Sequence, residues 1–598
     1  MGVTTCSTRS GVDLLVRDAD VLVTMAGGEI PGGWVGISDG VVSGVGKPGT
    51  EPAAAEVISA NGSLVTPGLI NTHHHIYQNL TRSFAPIINA DFWEWLTTLY
   101  KVWARLDEEA VYVSTVVGLT ELALGGCTTT TDHLYVHPRS NLIDAEIKAA
   151  RELGFRFHPT RGSMSLSRKD GGLPPDEVVQ DDDEILADSE RLVKTYHDPN
   201  AGAMVRIALA PCSPFSVTTA LMQRTAELAD RLDVRLHTHL LEDPGELSYC
   251  RRTFGCSSME HFEQVGWGSD RAWVAHCVYP TEAEVSRLGG WRTGIAHCPS
   301  ANSLYSKSIA PVRALRKAGA PVGLGCDGSS SADHASLWLE ARTALLLARV
   351  KDGPAAMNAR DVLEIATIGS AACLGREDGL GMLRVGAPGD VVVWSLDEIA
   401  FAGAHTDLVE AWLRCGPVRA RHTIVNGKLL VRDGVPQSDM LHEALVAHRR
   451  ISREWQRTVA PLVRARAPVP ARAAHSVGRG TSGPEQQASR AGLDHEVDRA
   501  ATRCRAMTTH DSPHSGPTLA RLGDRERRRR PSCRRQLSTR CCAMRVSGPM
   551  AASGKLSFTF AGKSERPSTT ARDKEPRSAS TLATWVAGRF QLPGSAQP

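Results

Sequence analysis

Short apolar runs of β type alternate with segments of helical period through the middle of the chain, a pattern typical of βα units around a parallel sheet. Eight such runs can be counted: LINTHHH (69–75), CTTTTDHLY (127–135), FRFHPTRG (155–162), RIALAPC (206–212), VRLHTHLLE (234–242), AWVAHCV (272–278), GIAHCP (294–299) and VGLGCDGSS (322–330). Eight strands predict an α/β fold, a closed (β/α)8 barrel of TIM type. Polar and ionisable residues gather at the carboxyl ends of these runs, the face where such barrels place their functional groups.

The sequence on either side of the barrel predicts a second, smaller unit. Short β-rich runs between Asp13 and Val45 include Asp39-Gly40, which suits a hairpin turn, and two later runs at 389–396 and 420–435 include Asn426-Gly427. We interpret these segments as one discontinuous β-sandwich domain. The predicted organisation is a β-sandwich of residues 12–66 plus 380–440, a barrel of residues 67–379, a C-terminal helix at 441–461 and a tail at 462–598.

The tail differs from the rest of the chain in composition and charge. Residues 462–598 contain 25 Lys and Arg against 10 Asp and Glu, including RERRRRPSCRR at 525–535, whereas residues 1–461 contain 43 and 55. Periodicity stops after about residue 460, so we predict a disordered basic tail. A nucleic-acid-binding tail and a frameshifted reading of GC-rich DNA are the alternative interpretations.

The composition of the whole chain narrows the class of protein. Hydrophobic residues make up 42% and charged residues 22% of the 598 residues, as in a globular protein with a large core. The mildly acidic body does not predict nucleic-acid binding, which needs Lys and Arg against phosphates. No secretory signal pattern and no membrane-spanning run is found, and the 14 cysteines form no CxxC pairs. We therefore expect a cytoplasmic protein with reduced thiols and a small-molecule ligand.

Histidines and one aspartate at the predicted strand ends suggest a metal site. His73 and His75 are two residues apart at the end of the first barrel strand, so both imidazoles point to the same side and His74 points the other way. His239, His276 and Asp327 end three further strand candidates. Three of these imidazoles together with the carboxylate suit one divalent ion. Zn²⁺ is the first expectation, and Fe²⁺ is equally compatible with the donors.

Glu242 follows His239 by three residues, just beyond a strand end. From there its carboxylate can reach the pocket without binding the metal, which suits a proton shuttle. The alternative is a structural carboxylate at a helix N-terminus.

The strings TPGLINTHHH, HTHLLE, VAHCV, AHCPSAN and GCDGSSS together resemble the amidohydrolase superfamily, in its branch of guanine-type, adenosine-type and triazine deaminases and chlorohydrolases. The resemblance covers roughly residues 12–440. It implies that His73, His75, His239 and Asp327 bind one metal ion, that His276 lies beside the activated water and that Glu242 is the acid/base. It also implies hydrolytic deamination, in which Asp327 accepts a proton from the water and Glu242 protonates the ring and the leaving nitrogen.

Within this branch the segments NTHHHIYQNLTR, DFWEWLTTLYKVWARL, PTRGSMSLS and FGCSSMEHFEQVGW are most similar to 8-oxoguanine deaminases. This similarity implies 8-oxoguanine, guanine or isocytosine as substrate. Under this hypothesis Gln78 binds a purine edge, Trp103 stacks on its face, and Cys212 lines the pocket floor. Arg161 contacts a substrate oxygen or, alternatively, an acidic neighbour, and the tryptophans of the aromatic stretch are alternatively core residues.

The chain also departs from the pattern of that branch. It has Asp327-Gly-Ser-Ser-Ser-Ala-Asp333 where DGSASND is common, Ser300-Ala-Asn-Ser-Leu-Tyr-Ser-Lys-Ser308 in place of SSNMRLGSG, and Lys101 where proline is expected. These departures affect the expected choice of substrate and leave the expected type of reaction unchanged. A triazine aminohydrolase or chlorohydrolase and a catalytically silent binding protein therefore stay as alternatives. The resemblance also implies a homo-oligomer, to which the helix at 337–350 could contribute; the favoured alternative is that its apolar stripe is buried in the core.

Overall fold

The computed structural model describes residues 11–306 and 308–464. The predicted tail lies outside the described residues from position 465 onwards. The strands are β1 Gly11–Arg17, β2 Val21–Val23, β3 Glu29–Pro31, β4 Trp34–Ser38, β5 Val41–Gly46, β6 Ala53–Ser59, β7 Ser63–Pro67, β8 Leu69–Asn71, β9 His74–His75, β10 Cys127–Leu134, β11 Arg156–Ser163, β12 Ala208–Pro211, β13 Arg235–Leu240, β14 Ala272–His276, β15 Gly294–His297, β16 Val322–Leu324, β17 Asp327–Gly328, β18 Val391–Ser395, β19 Ala420–Val425, β20 Lys428–Arg432 and β21 Val435–Pro436.

The helices connect the strands and cover the sheets. They are α1 Phe92–Trp103, α2 Glu108–Leu124, α3 Leu142–Leu153, α4 Asp182–Tyr196, α5 Thr219–Leu232, α6 Pro244–Phe254, α7 Ser258–Gln264, α8 Glu282–Trp291, α9 Pro299–Ala301, α10 Val312–Ala318, α11 Leu337–Asp352, α12 Ala359–Glu364, α13 Ser370–Cys373, α14 Leu408–Arg414 and α15 Leu441–Arg464. Shorter 3-10 turns lie at Ile76–Thr81, Ala85–Ile87, Arg168–Asp170, Asp176–Val178 and Ile399–Phe401, and π-helical turns lie at Asn302–Ser306 and Ile365–Gly369. No helix in the described ranges is long and apolar enough to cross a membrane.

Eight parallel strands close into a barrel in the order β10, β11, β12, β13, β14, β15, β16 and β8. Each of the eight apolar runs of the sequence contributes one of these strands, so the predicted (β/α)8 barrel is confirmed. The strand β10 shows why the sequence folds this way. Its consecutive threonines are β-branched and all eight of its residues are buried, as expected for a parallel strand covered on both faces.

Two further sheets lie outside the barrel. One has four strands in the order β5, β4, β1 and β6; the other has seven, in the order β21, β20, β19, β18, β7, β2 and β3. The seven-stranded sheet joins segments from before and after the barrel, because β7 pairs with β18. Leu14 and Val35 of the first sheet share a buried cluster with Val65 and Val391 of the second, as two sandwiched sheets require. The domain boundaries given above stay a prediction.

A buried ion pair joins the barrel to the seven-stranded sheet. The Arg156 guanidinium at the start of β11 donates to both carboxylate oxygens of Asp390, each at 3.0 Å, and the arginine is fully buried. The Asp390 carboxylate also accepts the backbone N–H of Asn426 at 2.7 Å. One carboxylate therefore neutralises the buried charge of a barrel strand and holds a sandwich turn.

We expect Asp390→Asn to lower the free energy of unfolding by about 3 kcal/mol, since it leaves the buried guanidinium without its counter-charge. Urea denaturation followed by circular dichroism measures this difference. Glu56→Gln is the control, because the pair of Glu56 with Arg432 is exposed and should contribute less than about 1 kcal/mol. Equal effects from both substitutions would contradict the structural role of Asp390.

Candidate metal centre and active site

The carboxyl ends of three barrel strands and the short strand pair β9 and β17 bring the predicted residues together. His73 follows β8, His75 ends β9, and His239 and His276 lie at the ends of β13 and β14. Asp327 begins β17, which pairs with β9. His276 and Asp327 have positive φ angles of 73° and 56°. Left-handed backbone at non-glycine residues costs about 1 to 3 kcal/mol each, and such strain clusters at functional sites.

The donor atoms of these residues converge. The Nε2 atoms of His73 and His75 are each 3.4 Å from Oδ1 of Asp327, and the Nε2 atoms of His75 and His239 are 3.2 Å apart. Four donors placed tetrahedrally around one zinc ion at ordinary bond lengths are roughly 3.3 to 3.4 Å apart. The spacing of the four predicted ligands therefore fits a single ion. His74 turns away, and its Nδ1 lies 2.5 Å from the backbone oxygen of Asp327.

The partners of His75 and His239 determine which ring nitrogen carries the proton. Nδ1 of His75 lies 2.7 Å from the carbonyl oxygen of His133, and Nδ1 of His239 lies 2.8 Å from that of Cys212. A carbonyl oxygen can only accept, so each Nδ1 must donate its hydrogen. The lone pairs at Nε2 are then free and face the centre, as metal-binding histidines require.

His73 has the same tautomer as His75 and His239, and its hydrogen bond to His237 determines it. Nδ1 of His237 lies 2.9 Å from the carbonyl oxygen of Trp273 and must donate to it, which leaves the lone pair of His237 on Nε2. That lone pair accepts the Nδ1 hydrogen of His73 across 2.8 Å. Nε2 of His73 is buried without a hydrogen-bond partner and points into the centre. All three imidazoles therefore present lone pairs.

The electrostatics of the centre favour neutral imidazoles. Burial lowers the pKa of His75 and of His276 to about 3, against the opposing field of Asp327. Burial also lowers the pKa of His239, and burial with the neighbouring imidazoles lowers that of His73 well below its usual value. Neutral imidazole is the form that binds a cation. The donor set, its spacing and its protonation all fit one divalent metal ion.

Glu242 lies beside this centre as a buried carboxyl group. Its Oε1 is 3.4 Å from Nε2 of His276, and its burial, reinforced by the charge of Asp327, raises its pKa well above the usual range. The adjacent backbone is held by Glu246, whose carboxylate accepts the N–H groups of Leu241 and Glu242 at 3.0 and 3.2 Å. A carboxyl group whose pKa is raised in this way can act as a general acid.

A cavity opens over the centre, and His75, His239, Glu242, His276 and Asp327 line it. Its walls are mainly aromatic and apolar. Besides the residues of the centre, the pocket is lined by Phe92, Trp95, Leu96, Tyr100, Tyr135, Ser213, Phe215, Tyr305 and Ser331. Such walls suit a flat, weakly charged ring.

Helix α1 forms much of one wall, through Phe92, Trp95, Leu96 and Tyr100, and two of its tryptophans fix its position. The indole N–H of Trp95 donates to the backbone oxygen of Ser330 at 3.0 Å, and that of Trp93 donates to Asp243 at 3.2 Å. The two bonds fasten the helix to loops on different strands of the barrel. The sequence left the aromatic stretch undecided between pocket and core, and the structure places Trp95 in the pocket wall.

Two of the predicted substrate-contacting residues lie at or next to the pocket. Cys212 lines it, with Sγ 3.8 Å from Nδ1 of His239, and burial raises the pKa of its thiol to about 12. Gln78 is fully buried and packs against Gly328, the residue that follows Asp327. A Cβ atom on Gly328 would lie 1.8 Å from the Gln78 amide oxygen, so only glycine allows this close approach. The Gln78 amide nitrogen reaches the hydroxyl of Tyr135 at 3.5 Å.

The other two predicted residues lie farther away. Trp103 is fully buried, donates to Oγ1 of Thr81 at 3.1 Å and packs its ring edge-on against Trp95. It therefore supports a wall residue and does not line the pocket. Arg161 pairs with Asp188 of α4 at 2.6 Å, because alternation along β11 turns its side chain away from the barrel interior. The acidic-neighbour alternative is the one that the structure shows.

Three polar residues of the centre were not singled out from the sequence. His133, at the end of β10, lies close enough to His73, His75 and His239 to form a four-imidazole cluster. His237 could have been noticed, because it repeats with His239 the histidine-X-histidine spacing of 73 and 75. The third, Asn302, lies within the AHCPSAN string and contacts His276.

Sequence and structure comparisons agree with this architecture. Residues 64–430 match the amidohydrolase family. The chain is 45% identical over 439 residues to an 8-oxoguanine deaminase of Pseudomonas aeruginosa, an alignment covering 73% of this chain and 97% of that protein. It is 38% identical over 439 residues to a hydroxydechloroatrazine ethylaminohydrolase of Pseudomonas sp. strain ADP, covering 71% of this chain and 87% of the relative.

Among solved structures, the zinc complex of atrazine chlorohydrolase from Arthrobacter aurescens superposes with a TM-score of 0.71 at 32% identity, covering 73% of this chain and 100% of that one. The relatives are deaminases and aminohydrolases, so the predicted hydrolase of C–N bonds is supported at the level of reaction class. With the barrel, the strand-end donors and these similarities together, the chain belongs to the amidohydrolase family.

Proposed function

We propose that the protein is a metal-dependent deaminase that hydrolyses 8-oxoguanine to urate and ammonia, with guanine and isocytosine as further candidate substrates. The observation that carries the proposal is the convergence of His73, His75, His239 and Asp327 beside Glu242 under an aromatic-walled pocket. The 45% identity to an 8-oxoguanine deaminase, across nearly that protein's whole length, supports the choice of purine.

The residues of the centre have distinct parts in this reaction. A divalent ion held by His73, His75, His239 and Asp327, with Zn²⁺ or Fe²⁺ as the candidates, would supply Lewis acidity that lowers the pKa of a coordinated water. Asp327 accepts a proton from the attacking water as the new C–O bond forms at the carbon that bears the amine. Glu242 donates its proton to the ring nitrogen, takes up the proton of the new hydroxyl group as the tetrahedral centre collapses, and passes that proton to the leaving amine. The proton held by Asp327 then restores Glu242. The C–N bond breaks, ammonia leaves, and a carbonyl remains.

A triazine substrate is the second candidate. The similarity to an ethylaminohydrolase and to an atrazine chlorohydrolase favours it, and a triazine is also a flat, amine-bearing nitrogen ring. The two candidates share the centre and differ in what the pocket walls accept. A silent binding protein is disfavoured because every donor that the reaction needs is present and aimed at one point.

Ammonia release by the full-length protein, supplied with Zn²⁺ or with Fe²⁺, tests the proposal. We expect the highest kcat/KM for 8-oxoguanine among 8-oxoguanine, guanine, isocytosine and aminated triazines. Chloride or ethylamine release from triazines without turnover of any purine would transfer the assignment to the second candidate. Matched metal-free protein is the control.

A further inference from the structure

Asn302 makes a hydrogen bond that distinguishes His276 from the other histidines of the centre. The Asn302 amide nitrogen is 2.9 Å from Nδ1 of His276 and 3.2 Å from the hydroxyl of Ser306. Asn302 is 1% exposed, so no bulk water competes for these contacts. The residue begins the π-helical turn Asn302–Ser306, a local geometry that is frequent at functional sites.

The orientation of the Asn302 amide follows from its surroundings. With its nitrogen toward His276, one buried group is left without a partner, the amide oxygen. Turning the amide over would instead place the NH₂ group, with its two hydrogens, at the position where the amide oxygen has no hydrogen-bond partner. Buried N–H groups without partners are rarer than carbonyl oxygens without partners. The orientation with the nitrogen toward Nδ1 is therefore favoured.

An amide N–H that donates to Nδ1 requires a lone pair at that nitrogen. In the neutral imidazole of His276 the hydrogen must then be on Nε2. That nitrogen has no hydrogen-bond partner and lies 3.4 Å from Oε1 of Glu242 and 4.0 Å from Oδ2 of Asp327. The Nε2–H group therefore points into the space between the two carboxyl groups.

His75 and His239 have the opposite tautomer, with the hydrogen on Nδ1, because their Nδ1 atoms face carbonyl oxygens. The group that contacts Nδ1 therefore determines the tautomer of each of these histidines. A carbonyl behind the ring exposes a lone pair to the centre, and the Asn302 amide behind His276 exposes an N–H.

We propose that Asn302 is a positioning residue that holds His276 as a hydrogen-bond donor and keeps it from becoming a fourth imidazole ligand. The proposal rests on the proposed function, in which the attacking water and the amine-bearing carbon occupy the space that the Nε2–H faces. Donation from His276 there orients the water and stabilises negative charge on oxygen as the C–O bond forms. A lone pair at the same place would bind the metal ion and block access to it.

The tautomer can be read without any substrate. NMR of the full-length, zinc-reconstituted protein labelled with ¹⁵N-histidine reports which ring nitrogen carries hydrogen, and a His276→Gln spectrum identifies the signal of His276 by its loss. We expect Nε2–H with unprotonated Nδ1 for His276. Finding the hydrogen on Nδ1 would overturn the proposal, and it would do so whichever heterocycle the enzyme deaminates.

Asn302→Asp is the matched substitution, since it keeps the shape and replaces the donor by an acceptor. We expect Nδ1 of His276 to become protonated, kcat to fall about 10- to 100-fold, as for other residues that orient the groups of a metal site, and zinc content to stay near one per chain. Asn79→Asp is the control, because Asn79 is a buried asparagine bonded to Ser114 and His448, away from His276. An unchanged His276 signal with unchanged kcat in Asn302→Asp would also refute the proposal.

Asn302→Leu removes the donor without offering an acceptor. We expect His276 to populate both tautomers and kcat to fall less than in Asn302→Asp. Should Asn302→Asp fail to fold, this variant and the wild-type spectrum still decide the proposal. A single unaltered Nε2–H tautomer in Asn302→Leu would show that Asn302 does not set it.

Discussion

Glu242→Gln should retain the metal ion and lose nearly all turnover. The substitution keeps the size of the side chain and its 3.4 Å approach to His276, and it removes a buried carboxyl group whose pKa is raised beside the centre. General acid–base catalysis contributes about a hundredfold to ten-thousandfold to a rate, so we expect kcat to fall by that factor. Ammonia release and elemental analysis for zinc or iron, made on the same sample, measure both quantities.

Glu263→Gln is the control for this substitution. Its carboxylate forms an exposed pair with Arg287 at 2.9 Å, remote from the pocket, and kcat should not change. A near-normal rate in Glu242→Gln would refute the acid/base assignment. The alternative from the sequence, a structural carboxylate at a helix N-terminus, would then account for Glu242. Loss of the metal together with the rate would instead indicate a ligand role.

The barrel was predictable because its strands carry their own signal. The eight runs are short and of β type, and polar residues gather where several of the strands end; β10, which ends in Asp132-His133-Leu134, and β13, which ends in His239-Leu240, are examples. The ends of parallel strands meet on one face, so His73, His75, His239, His276 and Asp327 could be grouped before any coordinates were known. Strand alternation also correctly predicted that His74 turns away.

The rest of the site depends on contacts between segments far apart in sequence. Asn302 reaches His276 across 26 positions and Trp95 reaches Ser330 across 235, and no local period encodes either contact. The choice of tautomer also depends on which carbonyl or amide lies behind each ring. Arg161 shows a limit of the strand-end rule. It lies near the end of a strand, as the predicted ligands do, but strand alternation directs its side chain to Asp188 outside the barrel.

His239→Leu should abolish metal binding and, with it, activity. His239 contributes one of the three lone pairs, 3.2 Å from Nε2 of His75, and leucine fills its space without a donor. We expect metal content after dialysis below about a tenth of the wild-type value. The rate should fall by a factor on the order of a thousand or more, since the Lewis acid contributes several kcal/mol. Elemental analysis and ammonia release measure the two effects.

His133→Gln is the decisive comparison for His239→Leu, because His133 belongs to the same cluster of imidazoles. Its Nε2 lies 3.0 Å from the carbonyl oxygen of Ala210, so the ring already donates away from the centre, and a glutamine amide can make the same donation. The backbone oxygen of His133, which accepts from His75, is unaffected. Retained metal in His133→Gln with lost metal in His239→Leu would support His239 as a ligand and exclude His133. Loss in both would favour a centre in which His133 is a fourth imidazole ligand.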